Sequence, residues 1–308
     1  MPKILLATEK PFAAVAVSGI KKIFDEAGFE TVLLEKYTDK ADLLKAVADA
    51  DGMIIRSDKA SADVIAAAQN LKIVVRAGAG YDNIDLPACN EKKIVAMNTP
   101  GQNSNAVAEL AMGMMIYAAR NFFNPGTGSE LAGKKIGLFA FGNVGRKVAK
   151  LAKGLGMIVY VYAPTKEKTW LEGFGTIVVS SPEELFSTCN YISLHIPANE
   201  KTKKTINYDL MSKLPKGAVI VNTARKEIVC EDSLKKVFEE RADVKYVTDI
   251  ACDCHTEMME KYASRYFATP KKMGAETAEA NINAGLAAAK QIVDFLQNGN
   301  TQFQVNKF

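Results

Sequence analysis

The sequence predicts an α/β protein of two doubly wound parallel-sheet lobes, on three observations. Short apolar, β-branched runs alternate with amphipathic stretches over the first hundred residues, and a second such alternation starts at Lys134. Between Lys134 and Pro164 a strand turns on glycines into a helix and returns as a strand. Strands that alternate with helices need crossover connections, and crossovers make a parallel sheet.

In the first lobe the expected strands are Ile4–Ala7, Thr31–Leu34, Gly52–Ile55, Lys72–Arg76 and Ile94–Met97, with helices such as Asp42–Ala50 and Ala62–Gln69 between them. The second set is Lys135–Ala140, Met157–Tyr162, Thr176–Val179, Tyr191–His195, Ala218–Asn222 and Val244–Thr248. Two long apolar helices, about Asn105–Arg120 and Glu276–Gln297, sit at the seams, and Asn121–Glu130 reads as a loop. Each lobe carries its own pattern, so the cleft between lobes is the expected site.

The stretch from Ala140 to Arg146, A-F-G-N-V-G-R, carries the first chemical signal. A strand that turns into a helix start gathers free N–H groups and the positive dipole end at one point, a seat for pyrophosphate. Phe141, Gly142, Asn143, Val144 and Gly145 are the expected contacts, and Val144, Val148, Leu151 and Leu155 fall at helical spacing behind them. Ala140 replaces the first of the three usual glycines, which the turn accommodates if its φ stays negative. About 20 residues past the turn, where an acidic residue usually meets the ribose hydroxyls, stands Ala163, followed by Lys166 and Lys168. NADP is admissible because no carboxylate at Ala163 repels a 2′-phosphate, and Lys166 and Lys168 could attract one.

Composition bounds the rest. The 308 residues suggest about two domains. With 48% hydrophobic and 24% charged residues the chain has an ordinary globular balance. A net charge of +4, scattered along the chain, argues against nucleic acid and suits a small anionic substrate. Five cysteines, with no zinc-like double pairing, suggest reduced thiols. Met1 opens on a strand, and no apolar run approaches membrane length, so a cytoplasmic protein without membrane contact is expected.

Four motifs in order make the chain resemble the D-isomer-specific 2-hydroxyacid dehydrogenase family. They are Val75–Asp85 (V-R-A-G-A-G-Y-D-N-I-D), Asn98-Thr99-Pro100 leading to Val107–Leu110, the glycine turn, and Asn222-Thr223-Ala224-Arg225. Within that family the chain is most similar to the short phosphoglycerate-oxidising members. The resemblance implies a Rossmann-type dinucleotide-binding domain (101–280) inserted into a discontinuous, flavodoxin-like substrate domain (1–100 and 281–308). It also implies NAD as the cofactor and a homodimer built on the cofactor lobes.

The resemblance assigns residues as well. Arg225, at a strand end, is the expected clamp for the C2 oxygen and carboxylate of a 2-hydroxy acid; the bland alternative is a salt-bridged surface Arg. His195, Thr223, Ala224 and Asp249 match cofactor-side positions, Asp249 the one that binds the nicotinamide carboxamide. Arg56, Ser57 and Arg76 match positions around substrate, and Ala77, Gly78, Ala79 and Gly80 offer successive N–H groups to a carboxylate. Lys226, with Arg56, Lys59 and Arg76, could meet a substrate phosphate.

The family's usual His–Glu acid/base pair is missing. Counted back from Gly274-Ala275-Glu276-Thr277, the histidine position holds Lys272, and Cys254 falls where the glutamate is expected. Either the site is catalytically dead or Lys272 moves the proton, and similarity to the short members that carry lysine here favours Lys272 as the acid/base. Serving as a base near pH 8 requires lowering its pKa by roughly 2–3 units, about 3–4 kcal/mol against the charged form. Cys252-Asp253-Cys254-His255 looks like a metal cluster but reads more simply as a polar loop, so no metal is expected.

Together these readings predict NAD(P)-dependent oxidation of a small phosphorylated 2-hydroxy acid. The rivals are a reductase of glyoxylate, hydroxypyruvate or another 2-keto acid, and a non-catalytic nicotinamide-sensing, corepressor-like protein.

Overall fold

A computed structural model describes residues 1–308. The chain divides into two compact units, Met1–Asn103 with Glu276–Phe308, and Ser104–Ala275.

The first unit alternates β1 (Lys3–Thr8), α1 (Ala14–Glu26), β2 (Glu30–Glu35), α2 (Lys40–Val47), β3 (Gly52–Ile55), α3 (Ala62–Ala67), β4 (Ile73–Arg76), α4 (Leu86–Glu91) and β5 (Val95–Asn98). All pairings are parallel, in the order β2-β1-β3-β4-β5, the flavodoxin-like arrangement. Strands β3 and β5 are buried at every residue, as strands covered on both faces must be.

In the second unit a long helix, α5 (Ser104–Ala119), leads to β6 (Lys135–Phe139), α6 (Asn143–Gly154), β7 (Ile158–Tyr162), α7 (Lys168–Glu172), β8 (Ile177–Val178), α8 (Pro182–Thr188) and β9 (Tyr191–Leu194). The chain continues through α9 (Tyr208–Met211), β10 (Val219–Asn222), α10 (Glu231–Glu240), β11 (Lys245–Thr248), α11 (His255–Tyr262) and β12 (Tyr266–Ala268). The sheet order is β12-β11-β10-β9-β6-β7-β8, again all parallel. Counted from β6 this is 3-2-1-4-5-6 with one added strand, the Rossmann order, whose direction of winding reverses between β6 and β9. Ligands of such sheets bind beyond the carboxyl ends of the strands at that reversal.

The last helix, α12 (Ala278–Asn298), belongs to the first unit. Thr277 caps it by accepting from the Ala280 N–H, and Gly299 ends it in the left-handed conformation. Its buried face, Ala280, Ala284, Ala288, Ala289 and Ile292, joins the core formed by Ile4, Leu6, Ile20 and Val75. Beyond it Asn306 accepts from the Ala96 N–H and donates to the Ile94 carbonyl, pinning the tail to β5.

The fold class is as the sequence predicts, with local differences. Strand β12 has only three residues, too few to show a period. Helix α6 stops at Gly154, so Leu155 caps its end and is 41% exposed instead of extending the apolar face. Asn121–Phe123, inside the expected loop, forms a 3-10 turn that buries Phe122.

Candidate active site

The turn after β6 carries a backbone feature that corrects the sequence reading. Ala140 has φ +84°, so it keeps the conformation of the glycine it replaces instead of avoiding it. A residue with a Cβ is strained there, at a cost of roughly 1–2 kcal/mol. The surroundings enforce it: the Ala140 N–H donates to the Tyr162 carbonyl at 2.9 Å and Phe141, 2% exposed, packs edge-on to Trp170 and Phe174.

Gly145 is required by close approach. A Cβ there would lie 2.7 Å from the Ala140 carbonyl oxygen and 3.6 Å from the His195 ring. Gly142, which precedes α6, has no atom within 4 Å of where its Cβ would be. No side chain caps α6 and no acidic residue occupies its first turn. Uncapped amides at Asn143 and Val144, open space over Gly142 and a helix dipole fit an anionic pyrophosphate.

The neighbours of this turn are short of partners. His195 Nε2, Thr223 Oγ1 and Ser193 Oγ are buried without a hydrogen bond. His195 as a residue keeps some exposure while its Nε2 has none, and burial pulls its pKa down to about 4. It is therefore a neutral ring at neutral pH. Ala163 is 6% exposed, and past it Lys166 and Arg146 both lie over the Trp170 ring. Lys168 pairs with Glu172 at 3.7 Å.

At the ends of β10 and β11 two buried side chains hold two loops. Asn222, 1% exposed, accepts from the Ala224 N–H at 3.0 Å and donates to the Arg225 carbonyl at 2.9 Å. Thr223 to Arg225 is thereby fixed. Arg225 is half-buried, donates from Nη1 to the Ala224 carbonyl at 2.8 Å, and forms no ion pair within 4.0 Å. The salt-bridged alternative does not hold for it.

Asp249, also 1% exposed, donates from its own N–H to the Asn222 carbonyl at 2.9 Å. One carboxylate oxygen accepts from the Met273 N–H at 2.7 Å and the Thr269 hydroxyl at 3.0 Å, the other from the Gly274 N–H at 2.9 Å. Asp249 thus holds the loop that carries Lys271 and Lys272. A carboxamide would share an already occupied carboxylate. A Cβ at Gly274 would come 2.9 Å from that carboxylate, so the loop closes over Asp249 only with glycine there. Lys272 itself is exposed. Lys226 is engaged by Asp253, which raises its pKa, so it reaches a substrate only by leaving that partner.

In the first unit Arg56 is half-buried, donating to the carbonyls of Lys10 and Pro11 and to Asn281, with its guanidinium over Phe12. Ser57 and Lys59 are exposed. Arg76 Nε donates to the Arg56 carbonyl at 3.1 Å, and its guanidinium folds across Gly78, where an added Cβ would meet Nη1 at 1.6 Å. Of the four expected amides, Ala77 N–H donates to Ile55 and Gly78 N–H to Arg76, both at 2.8 Å. The anion seat therefore narrows to Ala79 and Gly80, because extension of the β4 ladder and the turn at Gly78 consume the other two. Asn98 steadies that loop by donating to the Ala79 carbonyl.

Sequence reading missed Asn222 as the holder of the Arg225 loop and assigned Asp249 only to cofactor. The loop partners of Asn222 are two and three residues away, a local signal in the sequence, whereas those of Asp249 lie 24 and 25 residues away.

Two parallel-sheet units, one of Rossmann order with an uncapped glycine turn, define a dinucleotide-binding type of α/β protein. A family profile described as D-isomer specific 2-hydroxyacid dehydrogenase, catalytic domain, matches residues 12–306, and the chain belongs to that family. It is 35% identical over 283 residues to the hydroxypyruvate reductase of Thermotoga maritima, covering 85% of this chain and 90% of the relative. It is 34% identical over 304 residues to the D-3-phosphoglycerate dehydrogenase of Methanocaldococcus jannaschii, covering 92% of this chain and 57% of that longer protein. The crystal structure of an NAD+-bound 3-phosphoglycerate dehydrogenase from Entamoeba histolytica shares 50% identity, with a TM-score of 0.88 over 100% of this chain and 99% of that one. No helix is long and apolar enough to cross a membrane.

Proposed function

We propose that the chain oxidises D-3-phosphoglycerate to 3-phosphohydroxypyruvate with NAD, the entry step of serine synthesis. The observation that carries the chemistry is Arg225, an unpaired cation on a loop fixed by Asn222, whose backbone also joins Asp249, the holder of the Lys272 loop. The 50% identity to the Entamoeba histolytica enzyme over the whole chain supports the phosphorylated substrate.

Bound nicotinamide would supply a two-electron hydride acceptor. Phe141, Gly142, Asn143, Val144 and Gly145 would hold the pyrophosphate, and Ala163, His195, Thr223, Ala224 and Asp249 would line the rest of the dinucleotide. A neutral His195 and the orphaned Thr223 hydroxyl are polar groups ready for such a ligand. Arg225 grips the C2 oxygen and carboxylate, and the Ala79 and Gly80 amides are the first unit's own donors for a carboxylate. Lys272 takes the C2 hydroxyl proton during oxidation and returns it during reduction. Arg76, Arg56, Ser57 and Lys226 serve the phosphate end, Arg56 mainly by holding Arg76. On this reading the first unit, Met1–Asn103 with Glu276–Phe308, serves substrate and the second, Ser104–Ala275, serves dinucleotide, in a cytoplasmic homodimer.

The relative from Thermotoga maritima favours a second reading, reduction of hydroxypyruvate or glyoxylate. NADH and NADPH oxidation, followed in parallel with 3-phosphohydroxypyruvate, hydroxypyruvate and glyoxylate, separates the two. Preference for the phosphorylated ketone with NADH is the expected result. Equal kcat/KM on hydroxypyruvate would favour the second reading, and a lower KM for NADPH would reverse the cofactor. Dinucleotide binding without turnover on any of them would refute both.

A further inference from the structure

The fold brings a third donor to the Cys252-Asp253-Cys254 loop that the sequence alone does not place there. Glu231, in the first turn of α10, accepts from the Asp253 N–H at 2.8 Å and the Cys254 N–H at 2.9 Å. Its carboxylate is therefore held against the loop from 22 residues upstream. The Cys252 and Cys254 sulfurs lie 3.2 Å apart, and both sulfurs and a Glu231 oxygen fall within 4.8 Å of one another.

We propose that Cys252, Cys254 and Glu231 form a binding site for one thiophilic divalent cation of the zinc class, with water as fourth ligand. The proposal does not depend on the substrate assignment above.

Bond lengths of about 2.3 Å to sulfur and about 2.1 Å to oxygen place tetrahedral ligands roughly 3.5–3.8 Å apart. Side-chain movements of about 1 Å bring the three donors to that spacing. Two thiolates favour a soft or borderline cation over magnesium or calcium. Cys252, 7% exposed, forms the floor, while half-buried Cys254 leaves a way in.

A second layer is present as well. The Tyr266 hydroxyl lies 3.2 Å from the Cys252 sulfur and 3.0 Å from His255 Nδ1, a chain of polar groups that orients the buried ligand. Binding exchanges the two thiol protons for the metal. One M2+ displaces two H+, forming two M–S bonds with no change of oxidation state. Because Asp253 engages Lys226, metal binding would also set the position of the segment following Arg225.

The test uses the full chain, reduced and desalted under argon, titrated with Cd2+ as a spectroscopic probe. Expected are a saturable thiolate-to-cadmium charge-transfer band at one ion per chain, release of two protons per ion, and bleaching of the band by Zn2+. The band should vanish in C252S/C254S, persist in C230S, and require at least about tenfold more Cd2+ in E231Q, the loss that even an outer-shell partner causes. Should the double variant fold poorly, alkylation mapping of the unmodified chain decides: Zn2+ should protect Cys252 and Cys254, leaving Cys230 unaffected. No saturable band, a band that survives C252S/C254S, loss of binding in C230S alone, or unprotected thiols would each overturn the site. So would a Cys252–Cys254 disulfide that, once reduced, still takes up no metal.

Discussion

Two regions of the second unit hold reactive geometry by opposite means. The loops after β10 and β11 are fixed by side chains, with Asn222 and Asp249 spending buried polar atoms on backbone N–H and C=O groups. The turn after β6 is fixed mainly by close backbone packing, with Gly145 against a carbonyl and Ala140 held at a positive φ by the Tyr162 carbonyl and the packing of Phe141. The difference teaches where each region is vulnerable. A network fails when a donor or acceptor is lost, because the remaining groups stay buried and unpaired. A tight backbone turn fails or improves by a single methyl group.

The largest expected effect lies on the network side. Arg225→Ala removes charge-assisted hydrogen bonds to substrate, about 3 kcal/mol, and should lower kcat/KM by roughly 100-fold or more with little change in melting temperature. Arg225→Lys should recover only part of it, since a lysine cannot present the planar fork. Near-normal turnover in Arg225→Ala would reduce Arg225 to an ordinary strand-end cation. Asp249→Asn acts one step further back. It sets an NH2 group against N–H donors of the Lys272 loop, costing about 2 kcal/mol. A fall of about tenfold in kcat with KM for substrate nearly unchanged would mark a positioning role. A selective rise in KM for NADH would instead favour the carboxamide contact.

How much of this was legible depends on distance along the chain. The glycine turn could be read because its requirements are local: a strand, a turn and a helix within Lys134–Pro164. That both sheets are parallel follows from the alternation of strands and helices for the same reason, whereas their strand orders were implied only by the family resemblance. The sign of φ at Ala140 was not legible, since it is set by the Tyr162 carbonyl and by the packing of Phe141 on Trp170 and Phe174. Nor was the use of the Ala77 and Gly78 amides, which depends on β3 lying beside β4. Asp249 and Glu231 could be seen as residue types, but their partners, 22 to 25 residues away, arrive only with the fold, whereas the bonds of Asn222 to Ala224 and Arg225 are local.

On the turn side, Gly145→Ala is the sharper break. Its Cβ would stand 2.7 Å from the Ala140 carbonyl oxygen, backbone that cannot swing away. Overpacking of this kind costs about 2 kcal/mol, a drop of roughly 4–8 °C in melting temperature, with weaker NADH binding measured by titration. The His195 ring beside it predicts a pH window. Its folded pKa, about 4, lies below the unfolded value of about 6.5, so the unfolded chain binds the extra proton between them. Stability from this residue is therefore present above about pH 6.5 and lost as pH falls toward 4. His195→Gln should flatten that part of the melting profile; an unchanged slope would place its origin elsewhere.

The smallest effect has the opposite sign. Ala140→Gly replaces the one side chain in the turn that sits at positive φ, removing strain of roughly 1–2 kcal/mol. The greater freedom of glycine in the unfolded chain returns about 0.4–1 kcal/mol of that gain. The balance, about 0.5–1 kcal/mol, should raise the melting temperature by roughly 1–4 °C. NADH affinity should hold or improve, because the backbone around Gly142 does not have to move. A lower melting temperature would mean that Ala140 relaxes to negative φ in solution, and the turn would then owe its shape to its side chains, as the Arg225 and Lys272 loops do.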